Sequence, residues 1–106
     1  MDESLQRHLE QRNEVADILR RAKALIDTED KWGHTADEIS CNKPCAIMAL
    51  ALAAHGHPLY EPLPGEQILS KVVGAIFINT WNDAPERTHA EVMQAFDRAI
   101  ALAEQS

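Results

Sequence analysis

Apolar side chains recur every three or four positions from residue 5 to residue 26, as Leu5, Leu9, Ala16, Leu19, Ala22 and Ile26, widened by Ile18 and Leu25. That is the spacing of one face of an α-helix, and it predicts a single long amphipathic helix over residues 5–26. The first two turns offer only Leu5 and Leu9, so this end is expected to project and is a first candidate partner surface. Residues 27–31 are polar and end the helix, Trp32 is expected to cap the core, and Gly33 permits a turn that a side chain would resist. Thr35 and Glu38 have the capping-box spacing, which predicts a short helix over residues 36–40. Asn42 as cap and Pro44 in the first turn predict a further helix from there through Ala54, closed by His55-Gly56. Along it Ile47, Met48, Leu50 and Leu52 alternate with alanines and leave no polar face, the pattern of a central helix surrounded by neighbours.

Residues 57–65 carry three prolines and a Pro-Gly turn signal, so an irregular loop is expected there, pinned by Tyr60. Beyond it the pairs Ile68/Leu69, Val72/Val73 and Ile76/Phe77 repeat every four residues. Residues 72–78 alone would read as a strand, but the paired spacing covers three turns and predicts a helix through Phe77. Asp83 with Glu86, and Thr88 with Glu91, repeat the capping spacing, and Pro85 suits a first turn capped by Asp83. The chain is therefore expected to turn sharply over residues 81–88 and to enter a last helix from His89 to about Glu104, with Val92, Met93, Phe96, Ile100 and Ala103 on its inner face. The whole reads as one all-α domain over residues 1–106, a compact bundle of four main helices plus one short one.

Size and composition narrow the picture further. A chain of 106 residues with 45% hydrophobic content should remove about two-thirds of its unfolded surface from water, enough for a core without staples. Seventeen acids against ten bases give a net charge of −7, which repels nucleic acid, and the tightest basic group, Arg20, Arg21 and Lys23, lies among acids on a helix. Direct nucleic-acid binding is disfavoured. The longest uncharged stretch, residues 46–54, is about half of what a membrane-spanning helix needs, and Met1-Asp2-Glu3 does not resemble an export leader. With two cysteines only, a reduced cytoplasmic protein is expected.

Chemistry is thinly signalled. Cys41 and Cys45 with His34, His55 and His57 do not have a zinc spacing, and neither a metal nor a cofactor is expected. Cys45 beside Lys43 near a helix start could be an activated thiol, with His34 as its base, although a buried inert thiol is the favoured reading. No serine stands in a nucleophile motif. Trp81, Asn82, Asp83 and Arg87 could hold a ligand, by stacking, directional bonds and an anion-binding fork. Capping by Asp83, backbone bonding by Asn82, pairing of Arg87 with Asp83 or Glu86, and burial of Trp81 explain the same residues structurally. Asp27, Glu29, Asp30, Asp37 and Glu38, offset by Lys31, form an acidic cluster that could face a basic partner.

The segment Trp81-Asn82-Asp83-Ala84-Pro85-Glu86-Arg87-Thr88, followed by Glu91-Val92 and preceded by Cys45 five residues before Leu50, resembles a small uncharacterised bacterial and phage family, a domain of unknown function. The resemblance covers roughly residues 15–103 and implies a helical domain with a Cys opening a central Ala-rich helix. Met48 stands where such relatives tend to carry Gly, which argues for a packing role there. The resemblance assigns no activity, but it suggests a phage or mobile-element setting. The expectation is thus a non-enzymatic protein-binding inhibitor or adaptor, its narrower form a counter-defence factor directed at a basic host nucleoprotein. The alternative is a small-molecule or metal-binding protein using residues 81–88 or Cys45.

Overall fold

A computed structural model of the chain describes residues 3–34, 43–56 and 63–105, with side chains from residue 14 onward. The described elements are all helical: α1 (Glu3–Leu25), a single 3-10 turn (Glu29–Lys31), α2 (Ala46–His55), α3 (Glu66–Val73), α4 (Ile78–Asp83) and α5 (His89–Gln105). None of these helices is long and apolar enough to cross a membrane. The four main helices are the expected ones. The short helix seen here is α4, whereas the one expected over residues 36–40 lies outside the described residues, as do Cys41, Asn42, His57 and Tyr60.

α1 buries Ala16, Ile18, Leu19, Ala22 and the following Ile26, while Leu25 is turned out to solvent. This face meets α2 and α5; α3 lies on α5, and α4 bridges α2 and α3. Phe96, Leu19, Ile26, Leu50, Leu69, Ile78 and Val92 make the fully buried centre. In α2 the fully buried side chains that face the core are two alanines, Ala46 and Ala49, beside Leu50. Small residues let helix axes approach closely, so this stripe sets how near α1 can come. Trp32 is buried as expected. The amino-terminal turns thought to project carry Leu5 and Leu9, whose side chains are outside the described set.

Four expectations are corrected. α2 begins at Ala46, not at Pro44: the Pro44 carbonyl accepts a hydrogen bond from Gly33 N–H at 2.9 Å, and Cys45 is extended and makes no side-chain cap bond. Gly33 itself is not among the positive-φ glycines; it serves as a backbone bonding point. α3 stops at Val73 and does not reach Phe77. Gly74 takes φ +70°, Gly74 N–H and Ala75 N–H both donate to the Ser70 carbonyl, and the Ser70 hydroxyl donates to the Ala75 carbonyl. A left-handed glycine ends a helix wherever these bonds can close, whatever the apolar period says. Ile76 and Phe77 then fall on an extended elbow and are 83% and 65% exposed. Finally, Trp81-Asn82-Asp83 is not a turn capped by Asp83. It is the second half of α4, which Asp83 ends. The Thr88/Glu91 capping box is present as expected, with Glu91 N–H on the Thr88 hydroxyl at 3.2 Å and Thr88 N–H on the Glu91 carboxylate at 3.0 Å.

Candidate functional site

Asn82 is fully buried, the only buried polar side chain among the described residues. Its amide oxygen accepts from the Trp32 indole N–H at 2.7 Å and from the Ala46 backbone N–H at 3.0 Å. Its amide nitrogen donates to the Gly33 carbonyl at 3.0 Å and to the Asp83 carboxylate at 2.9 Å. Two acceptor positions and two N–H donors are thereby all used, the full capacity of an amide. The bond to Ala46 satisfies one of the donors that every helix start leaves open. α2 is thus capped from α4, across the fold.

The Trp32 ring meets two histidines. His34 stacks on it with ring centroids 4.6 Å apart, and His89 is tilted against it at 5.9 Å. Each imidazole also reaches a main-chain carbonyl through Nε2, His34 to Ala84 at 2.7 Å and His89 to Ile26 at 2.8 Å. A carbonyl only accepts, so Nε2 carries the hydrogen in both rings. His34 thereby holds the exit of α4. Burial pushes the Cys45 thiol above its ordinary value, outweighing the backbone N–H groups of Ile47 and Met48 that favour the thiolate. That is opposite to an activated nucleophile, and it supports the inert-thiol reading. Among the described residues no three His, Cys, Asp or Glu side chains gather as a metal site would need.

The outer side of the same segment is different. Trp81 is half-buried at the edge of the core, and the Arg87 guanidinium lies 4.2 Å over its ring. Arg87 Nε donates to the Trp81 carbonyl at 2.9 Å and Nη1 to Glu91 at 3.0 Å. Its carboxylate partner is thus Glu91, and neither Asp83 nor Glu86. The Thr88 backbone and hydroxyl hold the Glu91 carboxyl below its ordinary range, with Arg87 adding to the effect. Of the four residues considered for a ligand, Asn82 and Asp83 are joined to each other and spent on the interior, while Trp81 and Arg87 face a surface cleft.

Asp27, Glu29 and Asp30 are exposed around the 3-10 turn; Asp37 and Glu38 lie outside the described residues. Asp27 pairs with Lys31 at 3.0 Å, and a hydrogen bond from the Thr28 hydroxyl is the main cause that keeps the Asp30 carboxyl below its ordinary range. Glu29 and Asp30 border a shallow hollow of about 500 Å³ with Trp32, His34 and Lys43. Two of the three basic residues on α1 are paired within the fold: Arg20 with Asp17 and Glu104, and Lys23 with Asp97 at 2.6 Å. The local apolar pattern does not announce the burial of Asn82 or the exposure of Ile76 and Phe77. The local pattern holds no signal for the first, because Asn82 sits in a polar run. Gly74 was the available signal for the second.

Fold and site together define a small all-α domain whose distinctive Trp-Asn-Asp segment locks its own helices together. The chain belongs to a family of unknown function, DUF6197, whose model matches residues 10–102. No curated protein and no solved structure matches it.

Proposed function

We propose that the protein acts in the cytoplasm by binding another protein, as an inhibitor or adaptor that performs no chemistry of its own. The observation that carries this reading is the α3–α4 elbow, where Ile76 and Phe77 stand 83% and 65% exposed, side by side, on backbone fixed by the Gly74 cap. Large apolar side chains held out on an ordered turn lose little entropy on docking and suit a partner's pocket. A chain of net charge −7 adds steering toward a basic surface, to which Asp27, Glu29, Asp30, Asp37 and Glu38 contribute. The partner is accordingly a basic protein surface containing an apolar pocket. Its narrower form, suggested by the resemblance to bacterial and phage proteins, is a host nucleoprotein countered by a mobile element.

The test is capture from host lysate at low and high salt. It uses the wild type, an Ile76→Ser/Phe77→Ser double variant, and a variant with the five acids changed to amides. A stoichiometric partner that is lost with the double variant and weakened by salt and by the amides is expected. Capture that survives the double variant overturns the elbow as the docking point. Capture indifferent to salt and to the amides overturns the electrostatic part.

A further inference from the structure

A small cleft of about 180 Å³ opens between α3 and α5 beside Trp81. Its less exposed lining is Val72, Trp81, Ala95 and the half-buried Arg87; its more exposed lining is Glu91, Gln94 and Arg98. The two arginines differ in a useful way. Arg87 is clamped, with Nε on the Trp81 carbonyl, Nη1 on Glu91 and the guanidinium over the indole, and its side chain is only 15% exposed. Its Nη2 donors have no partner among the described residues. Arg98 stands two helical turns from Glu91 along α5 and makes no ion pair or hydrogen bond with any described residue, unlike Arg20, Lys23 and Lys31.

Two guanidiniums against one carboxylate leave this cleft positive by one charge, within a chain of net −7. Glu91 cannot cancel both, because it is already shared between Arg87 and the Thr88 cap. A clamped guanidinium presents its free donors in a fixed direction, so little ordering remains when an oxyanion arrives. The amide of Gln94 adds a further donor. The cleft has room for a carboxylate on a short apolar body.

We infer that the cleft between α3 and α5 is a binding site for a small carboxylate, its oxygens held by Arg87, Gln94 and Arg98 and its apolar body set against Val72, Trp81 and Ala95. This site is separate from the docking elbow, and neither proposal depends on the other.

The experiment is a titration of the full chain followed by two-dimensional NMR, with butyrate, benzoate, inorganic phosphate and butylammonium as probes. Reporters are the Trp81 indole N–H and the Arg Nε–H signals. Butyrate or benzoate should give saturable shifts confined to the cleft, and butylammonium should give none. Arg98→Gln should weaken carboxylate binding about tenfold or more, the loss of one charge-assisted contact, while leaving the thermal midpoint unchanged because Arg98 makes no ion pair or hydrogen bond with a described residue. Gln94→Ala gives a second, independent weakening. Absence of a saturable shift at roughly 50 mM probe, far weaker than any millimolar site, overturns the proposal. So does carboxylate binding that Arg98→Gln leaves intact. Phosphate binding as well as or better than butyrate overturns the apolar half of the site.

Discussion

Asn82 shows how one side chain can carry the connection between distant parts of a chain. Replacing it with Ala leaves the Trp32 indole N–H and the Ala46 N–H buried without their acceptor. Each orphaned donor costs roughly 1–3 kcal/mol, so Asn82→Ala should lose about 3 kcal/mol or more in chemical denaturation. Asn82→Asp separates hydrogen bonding from shape. At pH 7 it buries a charge that cannot donate to the Gly33 carbonyl, and it should be no more stable than the Ala variant. Burial raises the new carboxyl's pKa in the folded state, so its protonated form favours folding and part of the loss should return as pH falls toward about 4. A denaturation series showing no such recovery would remove the hydrogen-bonding account. Cys45 titrates with the same sign. Its thiol is raised in the fold, so stability is complete below the unfolded value and declines as pH rises above it. Wild type should therefore lose more stability than Cys45→Ala between neutral and strongly alkaline pH.

Among the elements, helix ends decide more than helix middles. The apolar pairs of α3 would allow the helix to run on through Phe77, yet Gly74 ends it with φ +70°. Gly74→Ala places a Cβ in open space but in an unfavourable conformation, and should cost about 1 kcal/mol. Gly65→Ala should cost more, because at φ +89° the added Cβ also meets Leu19 Cδ2 at 3.1 Å, inside the packed face of α1. Thermal midpoints of the two variants test that ranking. The Thr88/Glu91 box at the start of α5 is local chemistry and was legible from spacing alone. Thr88→Ala should lower stability by about 1 kcal/mol, with helix loss confined to the first turn by hydrogen exchange. The Asp83/Glu86 pair has the same spacing and does not act as a cap, since α4 already holds Asp83 inside a helix and Asn82 donates to its carboxylate.

For the molecule as a whole, α2 packs against α1 and α4, and its buried alanines fix the distances. Ala49 is fully buried where α2 lies in the core, so Ala49→Leu adds volume with no cavity to receive it. Overpacking of this kind costs roughly 1–3 kcal/mol, and the loss should appear as a lowered denaturation midpoint with no change in the elbow or the cleft. Ion pairs join α1 to α5 at Lys23–Asp97 and Arg20–Glu104. Both are exposed, and pairs of that kind contribute little, so the α1–α5 contact rests on Leu19, Ala22, Phe96 and Ala99 rather than on charge.

The four main helices, the buried face of α1, the Ala-rich central helix and the α5 cap all follow from the sequence, because periodicity and capping are short-range and act within a few residues. The family resemblance was carried by residues that can be read in order along the chain. What only the tertiary structure decided were the partners of polar groups far apart in sequence. Nothing near Asn82 announces that it will cap α2 or hold the Trp32 indole, since that role depends on α4 meeting Gly33 and Ala46 in space. Arg98 acquired its place beside Trp81 and Arg87 in the same way, through the packing of α3 and α4 on α5. Ile76 and Phe77 matched a helical period, but a left-handed glycine turned them outward. Local patterns choose the elements; the long-range contacts that close the core choose which side chains are spent inside and which remain for other molecules.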